Sequence, residues 1–326
     1  MKNFEFVNPT SIGQALGHLS SEPGEVKVIA GGTDILDELK EGISLPKKVV
    51  NLGSVKELNY VKFNAASGLM LGAMATVTDV ATNAAVQGRY SVLAEAALAV
   101  ASPQIRNQGT VAGNLCQRPR CWYYRGKAFY CYKKGGDFCF AVTGENKYLC
   151  IIGGELCYMV HPSDMAVALV ALGANARIAG PGGERVVPLE DFFVGPRVDV
   201  LRENVLKPNE LLVEIQVPTP GSGMKGKFLK VRERKSWDFA MVSTAVCMSI
   251  EGGACTDARV VLGACAPTPL RVPKAEDAIK GKKITEDSAA AAGTAAVQGA
   301  RPMSLNEYKV TVARNLVKRA IMQCGA

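Results

Sequence analysis

Six of the ten cysteines in this 326-residue chain fall between Cys116 and Cys157. Glycines and prolines interrupt this stretch so often that it predicts an inserted loop, and long loops in compact domains usually carry function. A thiolate is a soft ligand suited to iron and zinc, and loop amides can hydrogen-bond to the sulfurs of a cluster. Cys116 and Cys121 match only the first step of a C-x4-C-x2-C arrangement, and no C-x-x-C pair is present. Spacing alone therefore leaves a metal site and ordinary reduced thiols equally open.

Two further groups of residues accompany these thiols. Basic side chains would offset the negative charge of a thiolate-ligated cluster: Arg118, Arg120, Arg125, Lys133 and Lys134. Aromatic side chains would shield such a cluster from water, although loop packing explains them equally well: Trp122, Tyr123, Tyr124 and Tyr130. The remaining cysteines are dispersed in apolar or helical contexts, which predicts buried thiols with no chemistry: Cys247, Cys255, Cys265 and Cys324.

Two glycine-rich turns could bind a phosphate. In "AGGTD" the chain leaves an apolar strand at Ala30, turns on two glycines and enters a helix start at Asp34. A second turn, "SPQIRNQGTVAGN", runs from Ser102 to Asn114. Amides freed at such turns can hold a phosphate, and glycine lets the ligand approach the backbone. Neither turn has the spacing of a Rossmann or P-loop fingerprint, so taken alone each is more typical of a tight turn.

Three modules must position these residues. The first, residues 1–54, reads as β-α-β with a short helix and a further strand. The second, residues 55–218, has strands and helices on both sides of the cysteine-rich insertion at about 116–157, and a helix begins at Ser163 or Asp164. A Pro/Gly/Ser-rich linker leads to the third, residues 225–326, with three strands followed by three helices. The predicted fold class is α+β.

Composition excludes several classes of protein. The net charge of +8 is modest and mostly scattered, which gives no support for nucleic-acid binding. No apolar run is long enough to span a bilayer, and the first residues lack the apolar core of a secretion signal, so we expect a cytoplasmic protein without membrane contact. With His18 and His161 as the only histidines, a Ser-His-Asp triad is hard to assemble.

The ordered set of motifs identifies a family. The segments "VIAGGTDIL", "LMLGAMATVTDVA", "ASPQIRNQGTVAGNL", "HPSDMAVALVALGA" and "KFLKVRERKSWDFAMVSTAV" resemble, in this order, the FAD-binding medium subunit of the xanthine dehydrogenase family of molybdenum hydroxylases. The resemblance covers essentially the whole chain. It implies a two-part FAD-binding module of the vanillyl-alcohol oxidase type with a C-terminal α+β domain over the flavin.

The resemblance also implies site residues for FAD. From the first turn and its flanks these are Ile29, Ala30, Gly31, Gly32, Thr33, Asp34 and Leu36. From the second turn and beyond they are Thr76, Ser102, Ile105, Gly109, Thr110, Gly113, Asn114, Asp164 and Lys230, with Trp237 and Asp238 facing the flavin. Ala112 stands where family members often have glycine, which weakens the case for close backbone approach there.

The insertion resembles that of 4-hydroxybenzoyl-CoA reductase and similar bacterial aldehyde oxidoreductases, which binds a [4Fe-4S] cluster. The ligands this implies are Cys121, Cys131, Cys139 and Cys157, with Cys116 and Cys150 as alternatives. The expected partners are a small [2Fe-2S] subunit, a large molybdopterin subunit and a ferredoxin-like or other electron partner, with either direction of electron flow. The alternatives are a flavin subunit of an NAD-reducing xanthine or aldehyde dehydrogenase and, from another class, a zinc-stabilised binding module without redox activity.

Overall fold

The computed structural model describes residues 1–325. The first module is a three-stranded parallel sheet with the order β1-β3-β2 and two helices. Its elements are β1 (Glu5–Val7), α1 (Ile12–Gly17), β2 (Val26–Ile29), α2 (Ile35–Glu41) and β3 (Lys48–Asn51). The predicted β-α-β pattern is confirmed, and Ser11 caps α1 by accepting the amide hydrogen of Gln14.

The second module is an antiparallel five-stranded sheet covered by helices. Its strands are β4 (Val61–Asn64), β5 (Gly68–Gly72), β6 (Asn175–Gly180), β7 (Gly183–Pro188) and β8 (Leu211–Val217), in the order β4-β5-β8-β6-β7. Its helices are α3 (Val77–Thr82), α4 (Ala84–Arg89), α5 (Ser91–Leu98), α6 (Pro103–Gln108), α7 (Val111–Leu115), α8 (Trp122–Arg125), α9 (Asp164–Ala171) and α10 (Leu189–Phe192). The predicted helix at Ser163 is confirmed, since Ser163 caps α9 through the amide of Ala166.

The third module is an antiparallel sheet backed by three helices. Its strands, in the order β12-β11-β10-β9, are β9 (Met224–Val231), β10 (Val242–Glu251), β11 (Ala254–Gly263) and β12 (Leu270–Arg271). Its helices are α11 (Pro273–Ile279), α12 (Glu286–Ala296) and α13 (Tyr308–Gly325). The sequence predicted all of these except the short strand β12.

The stretch from Ser102 to Asn114 was predicted to be a glycine-rich turn, but it contains the helices α6 and α7. Ser102 caps α6 and Thr110 caps α7, each through a side-chain oxygen that accepts a backbone amide. The insertion is mostly irregular as predicted, with α8 and a 3-10 helix at Tyr132–Lys134.

The modules share apolar cores. Ala15 and Val50 of the first module pack in one cluster with Val213 of the second, and Phe228 of the third lies in the main core of the second. Because apolar packing continues across the predicted module boundaries, the structure does not separate the modules, and their boundaries stay a prediction from the sequence. Within residues 1–325, no helix combines the length and the apolar character needed to cross a membrane.

Candidate functional site

The first glycine turn presents unsatisfied amides. Within residues 1–325, the backbone N–H groups of Gly31, Gly32 and Thr33 have no protein acceptor. Gly32 has φ of +72°, a left-handed conformation that glycine adopts without strain. Successive free amides in such a turn form a concave site that favours an anion. The local geometry thus suits the predicted phosphate contact.

The two glycine turns touch each other through their backbones. A Cβ built on Gly31 would lie 1.9 Å from the carbonyl oxygen of Gln108, and one on Gly113 would lie 4.0 Å from the Cβ of Ala30. The bridge between Thr76 and Thr110 fixes the second turn against the start of α3. Gly31 is therefore required by the packing of one turn on the other, whatever ligand they bind.

Two cavities open on either side of this contact, and we call them the turn cavities. The larger, of about 400 Å³, lies towards the third module, and the smaller, of about 220 Å³, lies towards β8. They share Thr33, Asp34 and Gly113. Together they are lined by these predicted site residues: Ala30, Gly31, Gly32, Thr33, Asp34, Ile105, Gly109, Thr110, Gly113, Asn114, Asp164 and Lys230.

Four predicted site residues line neither turn cavity. Ile29 ends β2 beneath the turn, and Leu36 is 41% exposed on α2. Thr76 caps α3 in a capping box with Asp79, and Ser102 caps α6. These positions indicate that the four support the turns, while contact with the cofactor stays a prediction for them.

The larger turn cavity ends at a buried ion pair. Lys230 Nζ on β9 lies 2.6 Å from Asp164 Oδ2 at the start of α9, and both side chains are almost fully buried. Lys230 also donates to the carbonyl oxygen of Ala99. A buried cation held by a carboxylate and a carbonyl is fixed in place at the cavity wall, and contact of either residue with FAD stays a prediction.

Positive φ angles occur at two non-glycine residues of the larger turn cavity. Ala101 has φ of 38° and Trp237 has φ of 57°, and the Trp237 amide donates to the Ala101 carbonyl over 3.1 Å. Such conformations cost on the order of 1–3 kcal/mol each and concentrate at functional sites. Here they place Trp237, which is 60% exposed, beside the cavity.

Sequence reasoning missed Arg120 and Phe239 at this site. The Arg120 guanidinium lies 2.6 Å from Asp34 Oδ1 and 5.3 Å from the centre of the Phe239 ring, and both residues line the larger turn cavity. Arg120 was predicted only as a charge near the thiols. Its approach to Asp34 joins residues 86 positions apart, and nothing local in the sequence signals that contact.

The four cysteines predicted as ligands line one small pocket, which we call the cysteine pocket: Cys121, Cys131, Cys139 and Cys157. Cys116 lines the smaller turn cavity instead, and Cys150 is buried outside the pocket. Burial raises the pKa of Cys121 to about 11 and that of Cys157 to about 12. A free thiol at either position is neutral, and metal ligation is the ordinary means by which it would lose its proton.

The cysteines surround the pocket without forming a compact group. A tetrahedral zinc site holds its sulfurs about 3.8 Å apart, because each Zn–S bond is about 2.3 Å. In the described part of the chain, no three His, Cys, Asp or Glu side chains are grouped closely enough to hold a single metal ion. Four thiols that line one pocket match in number the ligand set of a [4Fe-4S] cluster, and the pocket between them is small, about 10 Å³.

Aspartate 34 ties the insertion to the first glycine turn. Its carboxylate accepts the backbone amide of Arg118 over 2.8 Å and pairs with Arg120 and Arg125, each at 2.6 Å. One helical turn later, Glu38 accepts a hydrogen bond from the Tyr124 hydroxyl. The insertion is thus attached to α2 by side chains that bracket Cys121.

Two known protein families together match most of the chain. Residues 2–126 and 142–220 match the family described as the FAD binding domain in molybdopterin dehydrogenase, and residues 227–324 match the CO dehydrogenase flavoprotein C-terminal domain. The first match leaves out residues 127–141, which contain Cys131 and Cys139. This gap lies inside the predicted insertion.

Similar proteins span the whole chain. The aldehyde oxidoreductase FAD-binding subunit PaoB of Escherichia coli is 34% identical over 100% of this chain and 99% of its own. The carbon monoxide dehydrogenase medium chain of Hydrogenophaga pseudoflava is 29% identical over 98% of this chain and 96% of its own. Among solved structures, a carbon monoxide dehydrogenase from the same organism, lacking the Mo-pyranopterin moiety, has a TM-score of 0.77 at 28% identity and covers 98% of this chain and 96% of that one.

Proposed function

Because the chain belongs to the family of FAD-binding medium subunits of molybdenum hydroxylase-type complexes, we propose that it relays electrons through FAD and a [4Fe-4S] cluster. The observation that carries this proposal is the pairing of two sites in one chain. The turn cavities fit a dinucleotide, and the cysteine pocket beside them has the ligand set of an iron-sulfur cluster. Asp34, which lines both turn cavities, pairs with Arg120, the residue that precedes Cys121.

FAD would lie across the contact between the two glycine turns. The free amides of Gly31, Gly32 and Thr33 would hold the diphosphate, and glycine at position 113 leaves room for it to approach. Lys230 would bring a fixed positive charge to the larger turn cavity, where Trp237 and Phe239 supply flat apolar walls. When bound, FAD supplies the exchange between one-electron and two-electron transfers, and these residues bind and orient it.

The cluster would be held by Cys121, Cys131, Cys139 and Cys157. When bound, a [4Fe-4S] cluster supplies one-electron transfer, and the aromatic and apolar side chains around the pocket would limit its contact with water. Tyr123 packs on Phe129 with ring centres 5.0 Å apart, and Tyr124 is 3% exposed. No residue of this chain needs to act as an acid or base on the organic substrate.

The partners are proposed from the relatives. Several of these are named as medium chains or FAD subunits of a dehydrogenase or an oxidoreductase. We infer by similarity that this chain joins a small [2Fe-2S] subunit and a large molybdopterin subunit, and exchanges electrons with an external carrier such as a ferredoxin-like protein.

Anaerobic purification of the full chain tests the proposal. The protein should show oxidised-flavin absorption bands together with a broad iron-sulfur shoulder, and about four irons and four acid-labile sulfides per chain. Co-purification should recover a two-cluster iron-sulfur protein and a molybdopterin protein. A colourless preparation that contains zinc would instead support a binding module without redox activity, and flavin without iron would reject the cluster.

A further inference from the structure

Lys133 is a buried cation at the cysteine pocket. It lies two residues after Cys131, its side chain is 1% exposed, and it lines the pocket together with the four cysteines. Of the five basic residues predicted to offset a cluster's charge, it is the one that lines this pocket. Arg120 and Arg125 pair with Asp34, and Lys134 donates to the carbonyl oxygen of Gly126.

Two acceptors hold the Lys133 ammonium group. Its Nζ donates to Glu203 Oε1 over 2.5 Å and to the carbonyl oxygen of Val200 over 2.8 Å. The other carboxylate oxygen of Glu203 lies 2.9 Å from Arg118 Nε. Glu203 is 4% exposed and does not line the cysteine pocket. Of the Lys133–Glu203 pair, Lys133 is therefore the member that lines the cysteine pocket.

The charge of Lys133 reaches the thiols. Lys133 lines the same pocket as the four thiols, and the interior of the protein screens a buried charge only weakly over so short a separation. Reduction of an iron-sulfur cluster adds one negative charge to the same place. A nearby cation in a low-dielectric interior stabilises that added charge and raises the reduction potential, whereas an anion lowers it.

We propose that Lys133 sets the reduction potential of the cluster in the cysteine pocket, and that Glu203 moderates this effect by its opposite charge. The inference rests on the proposed function, since it requires the cluster to be present. It predicts opposite shifts from two substitutions that each remove one charge. A merely structural role for the pair predicts no such opposition.

The experiment is a potentiometric titration of the cluster-loaded full chain, followed by electron paramagnetic resonance. Lys133→Met should lower the potential so that, at a fixed poise, the ratio of reduced to oxidised cluster falls on the order of tenfold, which corresponds to about 59 mV for one electron. Glu203→Gln should raise it. Lys133→Arg, which keeps the charge, and Lys134→Met, which removes a charge one residue away, should leave it nearly unchanged.

The outcomes separate this inference from the function on which it rests. A wild-type chain without an iron-sulfur signal overturns the proposed cluster itself. A wild-type cluster whose potential is unchanged in Glu203→Gln, or shifts in the same direction in both charge-removing variants, overturns the role of Lys133 and leaves the cluster standing. If Lys133→Met fails to assemble a cluster, the other two variants test the inference. A raised potential in Glu203→Gln together with an unchanged potential in Lys133→Arg supports it.

Discussion

The turn cavities and the cysteine pocket are built by different means. Backbone groups define the turn cavities, where free amides line the first turn and the absence of a side chain at Gly31 lets the second turn approach. Side chains define the cysteine pocket, where thiols line the interior and ion pairs attach the surrounding loop to α2. The family match covers the residues of both turns but leaves out residues 127–141. The comparison indicates that the backbone-built site belongs to the shared fold, whereas Cys131 and Cys139 of the cysteine pocket lie outside the part of the chain that the family match covers.

Breaking the backbone contact gives the largest expected effect. Gly31→Ala places a methyl group where the Gln108 carbonyl oxygen lies, so the two turns must separate. We expect loss of bound FAD and destabilisation on the order of 3 kcal/mol, measured by flavin release and thermal unfolding. Gly13→Ala is the matched control, since nothing lies within 4 Å of a Cβ there. If Gly31→Ala retained full FAD, the contact between the turns would not govern binding.

Removing one thiol should break the cysteine pocket while sparing the turn cavities. Cys139→Ser should lose most of the bound iron and keep most of the FAD, since Cys139 lines the cysteine pocket and neither turn cavity. Cys150→Ser, at a buried thiol outside the pocket, should keep both. Iron and flavin analysis of the two purified variants checks this. Equal iron in both variants would contradict the assigned ligands.

Acid should lower the free energy of unfolding through the buried His161. His161 is 3% exposed, and burial lowers its pKa to about 4 from an ordinary value of 6.5. Below pH 6.5, His161 is protonated in the unfolded chain but stays neutral in the folded chain. Protonation therefore stabilises the unfolded state. The free energy of unfolding keeps its full value above pH 6.5 and falls as the pH is lowered towards 4. The loss amounts to about 3 kcal/mol.

Denaturant unfolding at pH 7 and pH 4.5 measures this loss. His161→Asn should show a smaller difference between the two conditions than the wild type, because the carboxylates titrate equally in both proteins. An identical pH dependence would assign the acid sensitivity to other groups.

Loosening the connection between the sites gives the smallest effect. Arg125→Met removes the guanidinium that pairs with Asp34 and donates to the carbonyl oxygen of Pro119, at a position 13% exposed. We expect a loss of about 2 kcal/mol, together with faster release of both FAD and iron under dilute denaturant. Lys127→Met removes an exposed charge 3.7 Å from Glu41 and should change neither. Faster release of iron alone would show that the two sites are independent.

The sequence predicted what depends on local pattern and left out what depends on distant pairing. Alternation and helical periodicity predicted the strands and most helices, and the four thiols named from the resemblance do line one pocket. Helices α6 and α7 were missed because Gly109 and Gly113 interrupt their stretch, although Ser102 and Thr110 have the side chains of caps. The pairing of Lys133 with Glu203 was not predictable, since 70 residues separate them and only the folded chain brings them together.

The position of Asp34 in the chain has a consequence for biosynthesis. Asp34 is synthesised 84 residues before Arg118, whose backbone amide donates a hydrogen bond to its carboxylate. It is synthesised 91 residues before Arg125, whose guanidinium donates to the same carboxylate. In a chain made from its N-terminus, the Asp34 carboxylate therefore leaves the ribosome before every residue of the insertion that it binds. Attachment of the insertion to α2 waits for the synthesis of residues 118–125, and iron delivery to the proposed cluster would follow that attachment.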